Sequence, residues 1–260
     1  MEIFCEDCFK TIQRFKDNGQ KINVILTSPP YNTGRPNTSE KARENHEARY
    51  DIHTDTMTQQ EYIDWTISLF NEFNEILAEN GVILWNMSYG SDGTVNKEGI
   101  GLVWLVIADI IRNTNFMVAD RIVWKKRNAL PNNVSRNKLT RITEDVFVFC
   151  RKDEYKTFQC NKEVSQVSKT GQTFYKNIYN FIEAPNNDGP NKLNKATYSS
   201  NLCEQLLKIY GTRESVVYDP FIGTGTTAIA CKHLGLECFG SEISEKQVEF
   251  ANKRVEDINQ

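Results

Sequence analysis

Short runs of β-branched and aromatic residues alternate along this chain with longer amphipathic stretches of helical period, and few folds accommodate that alternation. Glu2–Cys5 reads as a strand, followed by a helix carrying Phe9, Ile12 and Phe15. Ile22–Leu26 is an apolar strand that runs into two prolines. Thr58–Glu79 reads as a long helix with Tyr62, Trp65, Leu69, Phe73, Ile76 and Leu77 on one face. A strand at Gly81–Trp85, a helix at Leu102–Arg112 and strands at Phe116–Trp124 and Asp145–Phe149 follow, then a helix at Ser200–Tyr210. The last stretch repeats the theme: strand Ser215–Tyr218, helix Thr226–Leu234, strand Glu237–Gly240, helix Ser244–Val255. Strands alternating with helices of this length predict an α/β fold, a mostly parallel sheet with helices on both faces.

With 260 residues, 39% of them hydrophobic, the chain suits one core of ordinary size. Thr33–Thr56 and about Asp153–Lys195 are polar and aperiodic. Such stretches inside a compact domain mark functional loops or inserts. The chain therefore divides into 1–152, a small insert at 153–195, and 196–260, the outer two belonging to one domain.

Val216–Thr227 holds a strand, a turn with Gly223 and Gly225, and a helix start at Thr226 and Thr227. Glycines allow a sharp turn and close ligand approach, and a helix N-terminus offers unpaired N–H groups. Seventeen residues after Gly225, past the next strand, stands Glu242, placed to accept hydrogen bonds from ribose hydroxyls. The pattern points to a nucleoside cofactor and, lacking GxGxxG, away from a dinucleotide.

The other junction is Thr27-Ser28-Pro29-Pro30-Tyr31-Asn32. Two prolines fix the backbone, remove two N–H donors and push the preceding residues to extended geometry. The result is a rigid set of acceptors beside an aromatic ring. An exocyclic base amine is a poor nucleophile because its lone pair is delocalised. Acceptors for its N–H groups favour a tetrahedral nitrogen, which is electrostatic catalysis combined with positioning. Tyr31 would stack on a base flipped out of the duplex.

Together these segments resemble the DNA amino-methyltransferases, whose signatures are (Asp/Asn/Ser)-Pro-Pro-(Tyr/Phe/Trp) and an Asp-Pro-Phe-x-Gly-x-Gly motif, here Asp219-Pro220-Phe221-Ile222-Gly223-Thr224-Gly225. The catalytic motif precedes the cofactor motif, as in the permuted β class. The resemblance implies a Rossmann-like, seven-stranded fold, S-adenosyl-L-methionine as cofactor, and catalysis by Ser28, Pro29, Pro30 and Tyr31. It implies cofactor contacts from Asp7, Trp85, Asn86, Thr197, Tyr198, Ser199, Asp219, Phe221, Gly223, Gly225, Thr226, Thr227 and Glu242. Members with Ser in the first position mostly methylate cytosine N4 and those with Asp mostly adenine N6, so Ser28 favours cytosine N4, with adenine N6 the alternative. An RNA or protein-glutamine methyltransferase and a non-catalytic nucleic-acid binding module are the rival readings. Ser28 and the intact motifs argue against them.

The net charge of −3 rules out a uniformly basic nucleic-acid binder, so DNA contact needs a local patch. Arg121, Lys125, Lys126, Arg127, Arg136, Lys138 and Arg141 form a run without an acid, suited to phosphates, and Arg35 follows the catalytic loop. The insert at 153–195, rich in Asn, Gln and Lys, suits base-edge recognition of a short site. The expected partners are double-stranded DNA and a cognate restriction endonuclease; the expected state is a monomer or homodimer. Seven cysteines at irregular spacing, with Cys5 and Cys8 a lone CxxC, give neither a disulfide framework nor a zinc site. No signal peptide or long apolar run is apparent, so a cytoplasmic protein without metal or membrane span is expected.

Overall fold

The computed structural model describes residues 1–32, 57–88, 101–129, 131, 133, 136, 139–189, 193–194 and 197–258. Ten strands and six helices follow one another among these residues. They are β1 (Glu2–Cys5), α1 (Cys8–Asn18), β2 (Ile22–Thr27), α2 (Gln59–Ile76), β3 (Leu77–Met87), α3 (Gly101–Asn113), β4 (Phe116–Lys126) and β5 (Thr143–Arg151). After them come β6 (Val164–Val167), β7 (Thr173–Tyr175), β8 (Phe181–Ala184), α4 (Ser200–Tyr210), β9 (Val216–Asp219), α5 (Thr226–Leu234), β10 (Glu237–Glu242) and α6 (Glu245–Asp257).

Local chemistry sets the helix ends. Asp7 caps α1 by accepting from Phe9 N at 2.9 Å. Thr58 and Glu61 form a reciprocal capping box on α2. That helix stops at Ile76, three residues before the periodicity suggests. Leu77 is extended and pairs with Ile22 in the sheet, and the Arg151 guanidinium takes the Asn74, Leu77 and Ala78 carbonyls at 2.9, 2.6 and 3.0 Å.

The main sheet has eight strands in the order β1-β10-β9-β2-β3-β5-β4-β8, and only β5 runs against the rest. The expected parallel α/β architecture holds, with one strand more than expected. The addition is β8, from the polar insert: Phe181–Ala184 pairs in parallel with Val123–Lys126, and Trp124 Nε1 donates to Ala184 O. Four residues among asparagines carry no periodicity that sequence could register.

Side chains of α1, α2 and α3 fill one face of the sheet, around Ile12, Phe70, Phe73, Trp85 and Ile110. Those of α4 and α5 fill the other, around Leu202, Leu206, Ala230 and Trp124. A separate antiparallel ribbon, β6 with β7, keeps every residue exposed. Topology then places the site. β9 lies beside β2, with Val24 opposite Val217 and Ile25 opposite Tyr218, although about 190 residues separate them. Their carboxyl ends meet where parallel α/β sheets bind ligands.

Candidate active site

Thr27, the last residue of β2, donates its hydroxyl to Asp219 Oδ1 at 2.6 Å. This bond joins the two motifs. Asp219 is fully buried, and burial pushes its carboxyl above the usual aspartate range. Thr227 Oγ1 and Tyr198 OH donate to its other oxygen, and Phe221 N to Oδ1 at 3.0 Å, opposing that shift. Asp219 therefore holds the walls of the site together from behind.

In front of it opens a cleft of about 1170 Å³, mouth included. Ser28, Pro29, Pro30 and Tyr31 line one side. Phe221, Gly223, Thr226 and Glu242 line the other, with Asp7, Thr197 and Tyr198 at the margins. Gly223 sits at φ +52° and Gly225 at φ +84°, a backbone region costly for other residues. A Cβ on Gly225 would lie 2.8 Å from the Ala251 Cβ, so this glycine admits α6 rather than a ligand. No side chain caps α5, and Thr224 Oγ1, buried in the cleft wall, has no hydrogen-bond partner among the described residues. Glu242 ends β10; burial pushes its carboxyl up, while Ser244 N donates to it at 2.8 Å.

The Ser-Pro-Pro-Tyr loop is tied from three directions. Tyr62 on α2 donates its hydroxyl to Pro30 O at 2.7 Å. Asn32, at φ +48°, donates Nδ2 to Met57 O at 2.8 Å. Tyr31 is 8% exposed, and its hydroxyl lies 2.6 Å from Ser28 Oγ. Asn86 Nδ2 reaches the same phenol oxygen at 2.5 Å, and the Glu144 carboxylate lies beyond. Tyr31 is thus a tethered wall of the cleft, its polar end facing inward.

Several expected cofactor residues stand elsewhere. Trp85 is corrected to a core residue: it is fully buried against Phe70 and Phe73, at 5.1 and 6.4 Å between ring centroids. Successive strand residues face opposite sides, so Asn86 turns the other way, to Ser28, Tyr31 and Glu144 rather than to the cofactor side. Ser199 is the buried cap of α4, and Thr227 and Asp219 lie behind the wall. Glu144, in a stretch that resembles a region near the target base in the family, and Trp65, Asn194 and Gln247 belong to neither of the two main motifs. The last three line the cleft, Asn194 donating to Gln247 at 3.0 Å. Trp65 read as part of a core-facing stripe, and Asn194 and Gln247 are single polar residues without a pattern.

The basic run acquires acidic partners from other strands. Arg121 pairs with Asp145 at 2.9 Å, Lys125 with Glu183 at 2.9 Å and Lys126 with Glu144 at 2.5 Å. Arg127 lies 3.9 Å from Glu183. Arg136 and Arg141 are exposed; Arg35, Lys138 and the stretch 33–56 lie outside the described residues. Cys8 belongs to the core face of α1, while Cys5 is exposed. Among the described residues no helix is long and apolar enough to cross a membrane.

A family model for N6/N4 methyltransferases, described as DNA methylase, matches residues 22–253. The type II methyltransferase M.BglII of Bacillus subtilis is 24% identical over 268 residues, spanning 96% of this chain and 67% of that protein. Among solved structures, the PvuII DNA methyltransferase, titled cytosine-N4-specific, superposes with a TM-score of 0.67 at 16% identity, covering 98% of this chain and 90% of that one. The M1.HpyAVI–SAM complex gives a TM-score of 0.62 at 21% identity, covering 97% of each.

Proposed function

The chain belongs to the N6/N4 DNA methylase family, and from that premise we propose that it methylates the N4 amino group of a cytosine flipped out of duplex DNA. The cofactor is S-adenosyl-L-methionine, which when bound supplies an electrophilic methyl group on a sulfonium. The residues present fit it. The uncapped N-terminus of α5 and the unpartnered Thr224 hydroxyl suit a carboxylate. Glu242 is an acceptor for ribose hydroxyls, and Phe221 and Trp65, 5.6 Å apart, give the cleft an aromatic wall.

Opposite, Ser28, Pro29 and Pro30 offer acceptors to the target amino group, and Tyr31 forms the wall against the base. The observation that carries the reading is the cleft itself: the Ser-Pro-Pro-Tyr loop and the glycine-bearing turn share it, fastened by the Thr27–Asp219 bond. Reacting groups held in one cleft need little further ordering to react. Cytosine is favoured over adenine because Ser28 stands in the motif position where family members that mostly methylate cytosine N4 carry serine.

Arg136 and Arg141, which are exposed, are assigned to phosphates. The insert 153–195, which carries the exposed β6–β7 ribbon, is assigned to reading the recognition site, since a two-stranded ribbon fits the major groove. A restriction–modification setting agrees with the name of the M.BglII relative, a type II methyltransferase, and with it a cognate endonuclease and a cytoplasmic location are proposed. Nucleoside digestion of DNA from expressing cells, followed by mass spectrometry, tests the assignment. N4-methylcytosine is expected; N6-methyladenine alone would overturn the choice of base, and unmodified DNA would overturn the activity.

A further inference from the structure

Ser28, Tyr31, Asn86, Glu144 and Lys126 come from four separate segments and form one polar chain, buried at Tyr31, Asn86 and Glu144 and half-buried at its two ends. We propose that Glu144 is a positioning residue that sets the direction of the hydroxyl pair Tyr31–Ser28, so that Ser28 Oγ presents a lone pair to the target amino group. This rests on the methyltransferase reading above.

The direction follows from counting protons. Glu144 is 7% exposed, and its charge is compensated by Lys126 Nζ at 2.5 Å on Oε1. Lys126 also lies 4.9 Å from the centre of the Trp124 ring, which holds it in place. The other oxygen, Oε2, accepts from Asn86 Nδ2 at 3.0 Å and from Tyr31 OH at 3.4 Å. A carboxylate is acceptor-only, whereas a phenol has one proton to give. With that proton turned to Glu144, the Tyr31 oxygen can only accept from its other neighbours, Asn86 Nδ2 at 2.5 Å and Ser28 at 2.6 Å. Ser28 must then be the donor in the Ser28–Tyr31 bond. Asn86 Nδ2 meets one of its lone pairs at 3.4 Å, and the other stays available. That is the polarity an amine needs, since an N–H group requires an acceptor.

A neutral amide at 144 reverses the logic. Its N–H group can face Tyr31, the phenol proton then turns to Ser28, and the serine proton points outward at the amine, donor against donor. Glutamine keeps the shape of the side chain at 144, and the polarity of the Tyr31–Ser28 pair is inverted.

The test measures methyl transfer to unmethylated duplex DNA by wild type, E144Q, Y31F, the double variant and E144D, with cofactor affinity measured calorimetrically. E144Q is expected to lower kcat roughly 100-fold, the scale of losing one preorganised polar contact, with KM for both substrates nearly unchanged. Because Glu144 acts through the Tyr31 hydroxyl, E144Q should add nothing to Y31F. E144D, which keeps the charge, should retain at least about a tenth of the activity, a loss well short of that scale. A wild-type kcat in E144Q, or additive losses in the double variant, would overturn the proposal while leaving the methyltransferase reading intact. Absence of transfer by wild type would overturn both. If E144Q does not bind the cofactor, E144D and Y31F decide: the expected split between them supports the proposal, and equal activities overturn it.

Discussion

Replacing Thr27 with valine deletes one hydroxyl and tests whether the two motifs are fastened together as the structure indicates. The residue is fully buried, and its bond to Asp219 is 2.6 Å long. Asp219 keeps three other donors, Thr227, Tyr198 and Phe221 N, so the carboxylate is weakened rather than orphaned. A hydrogen bond to a charged group contributes about 1.5–3 kcal/mol net, and the new methyl group crowds the same oxygen. T27V should therefore cost about 2–3 kcal/mol. Thr66 provides the internal control. It is equally buried, but its hydroxyl donates to a neutral carbonyl, Tyr62 O, at 2.7 Å. T66V should cost about 1 kcal/mol. Urea unfolding of both variants gives the comparison at constant m-value. If T27V costs no more than T66V, the Thr27–Asp219 bond is not a charge-assisted clamp, and the argument that the two halves are fastened there fails.

Other consequences can be checked separately. E242Q should weaken cofactor binding about 10-fold, the loss of one charge-assisted bond of about 1.4 kcal/mol, measured by calorimetry. Because burial raises the Glu242 carboxyl, cofactor affinity should fall as pH drops through a value above the ordinary glutamate range, and E242Q should remove that dependence. W85F should leave cofactor affinity within about twofold while costing about 1 kcal/mol of stability, since it trims a core ring whose indole N–H has no partner among the described residues. A large loss of affinity would return Trp85 to the cofactor. Cys8, pushed up to about 12 by burial and then by Asp7, should resist iodoacetamide at pH 9 until the protein is unfolded, while exposed Cys5 reacts; peptide mass spectrometry distinguishes them.

Much of the site was legible because its chemistry is local. Two prolines before Tyr31, and glycines between a strand and a helix, act through backbone geometry that neighbouring residues dictate. Glu242 was legible for the same reason, since its place at the end of a strand follows from the strand pattern alone. Trp85 misled because the end of a strand carries one residue toward the site and the next toward the core, and only packing decides which. Glu144 lies in a stretch, Arg141–Glu144, that the family resemblance sets near the target base, but which partners it meets shows only when Tyr31 and Asn86 are brought beside it.

The basic run shows the same division. In sequence it lacks acids from Arg121 to Arg141, and in the fold β5 and β8 supply Asp145, Glu144 and Glu183 to four of its residues. Sequence by itself determined the α/β class, the order of the two motifs and the loops that carry them, since periodicity, proline and glycine act over a few residues. Tertiary structure alone decided that β9 lies against β2, that β8 closes the far edge, and that Thr27 and Glu144 join the two halves of the chain to the site. Those pairings depend on contacts between residues tens to nearly two hundred positions apart, whose register is set by how the whole sheet buries its two faces.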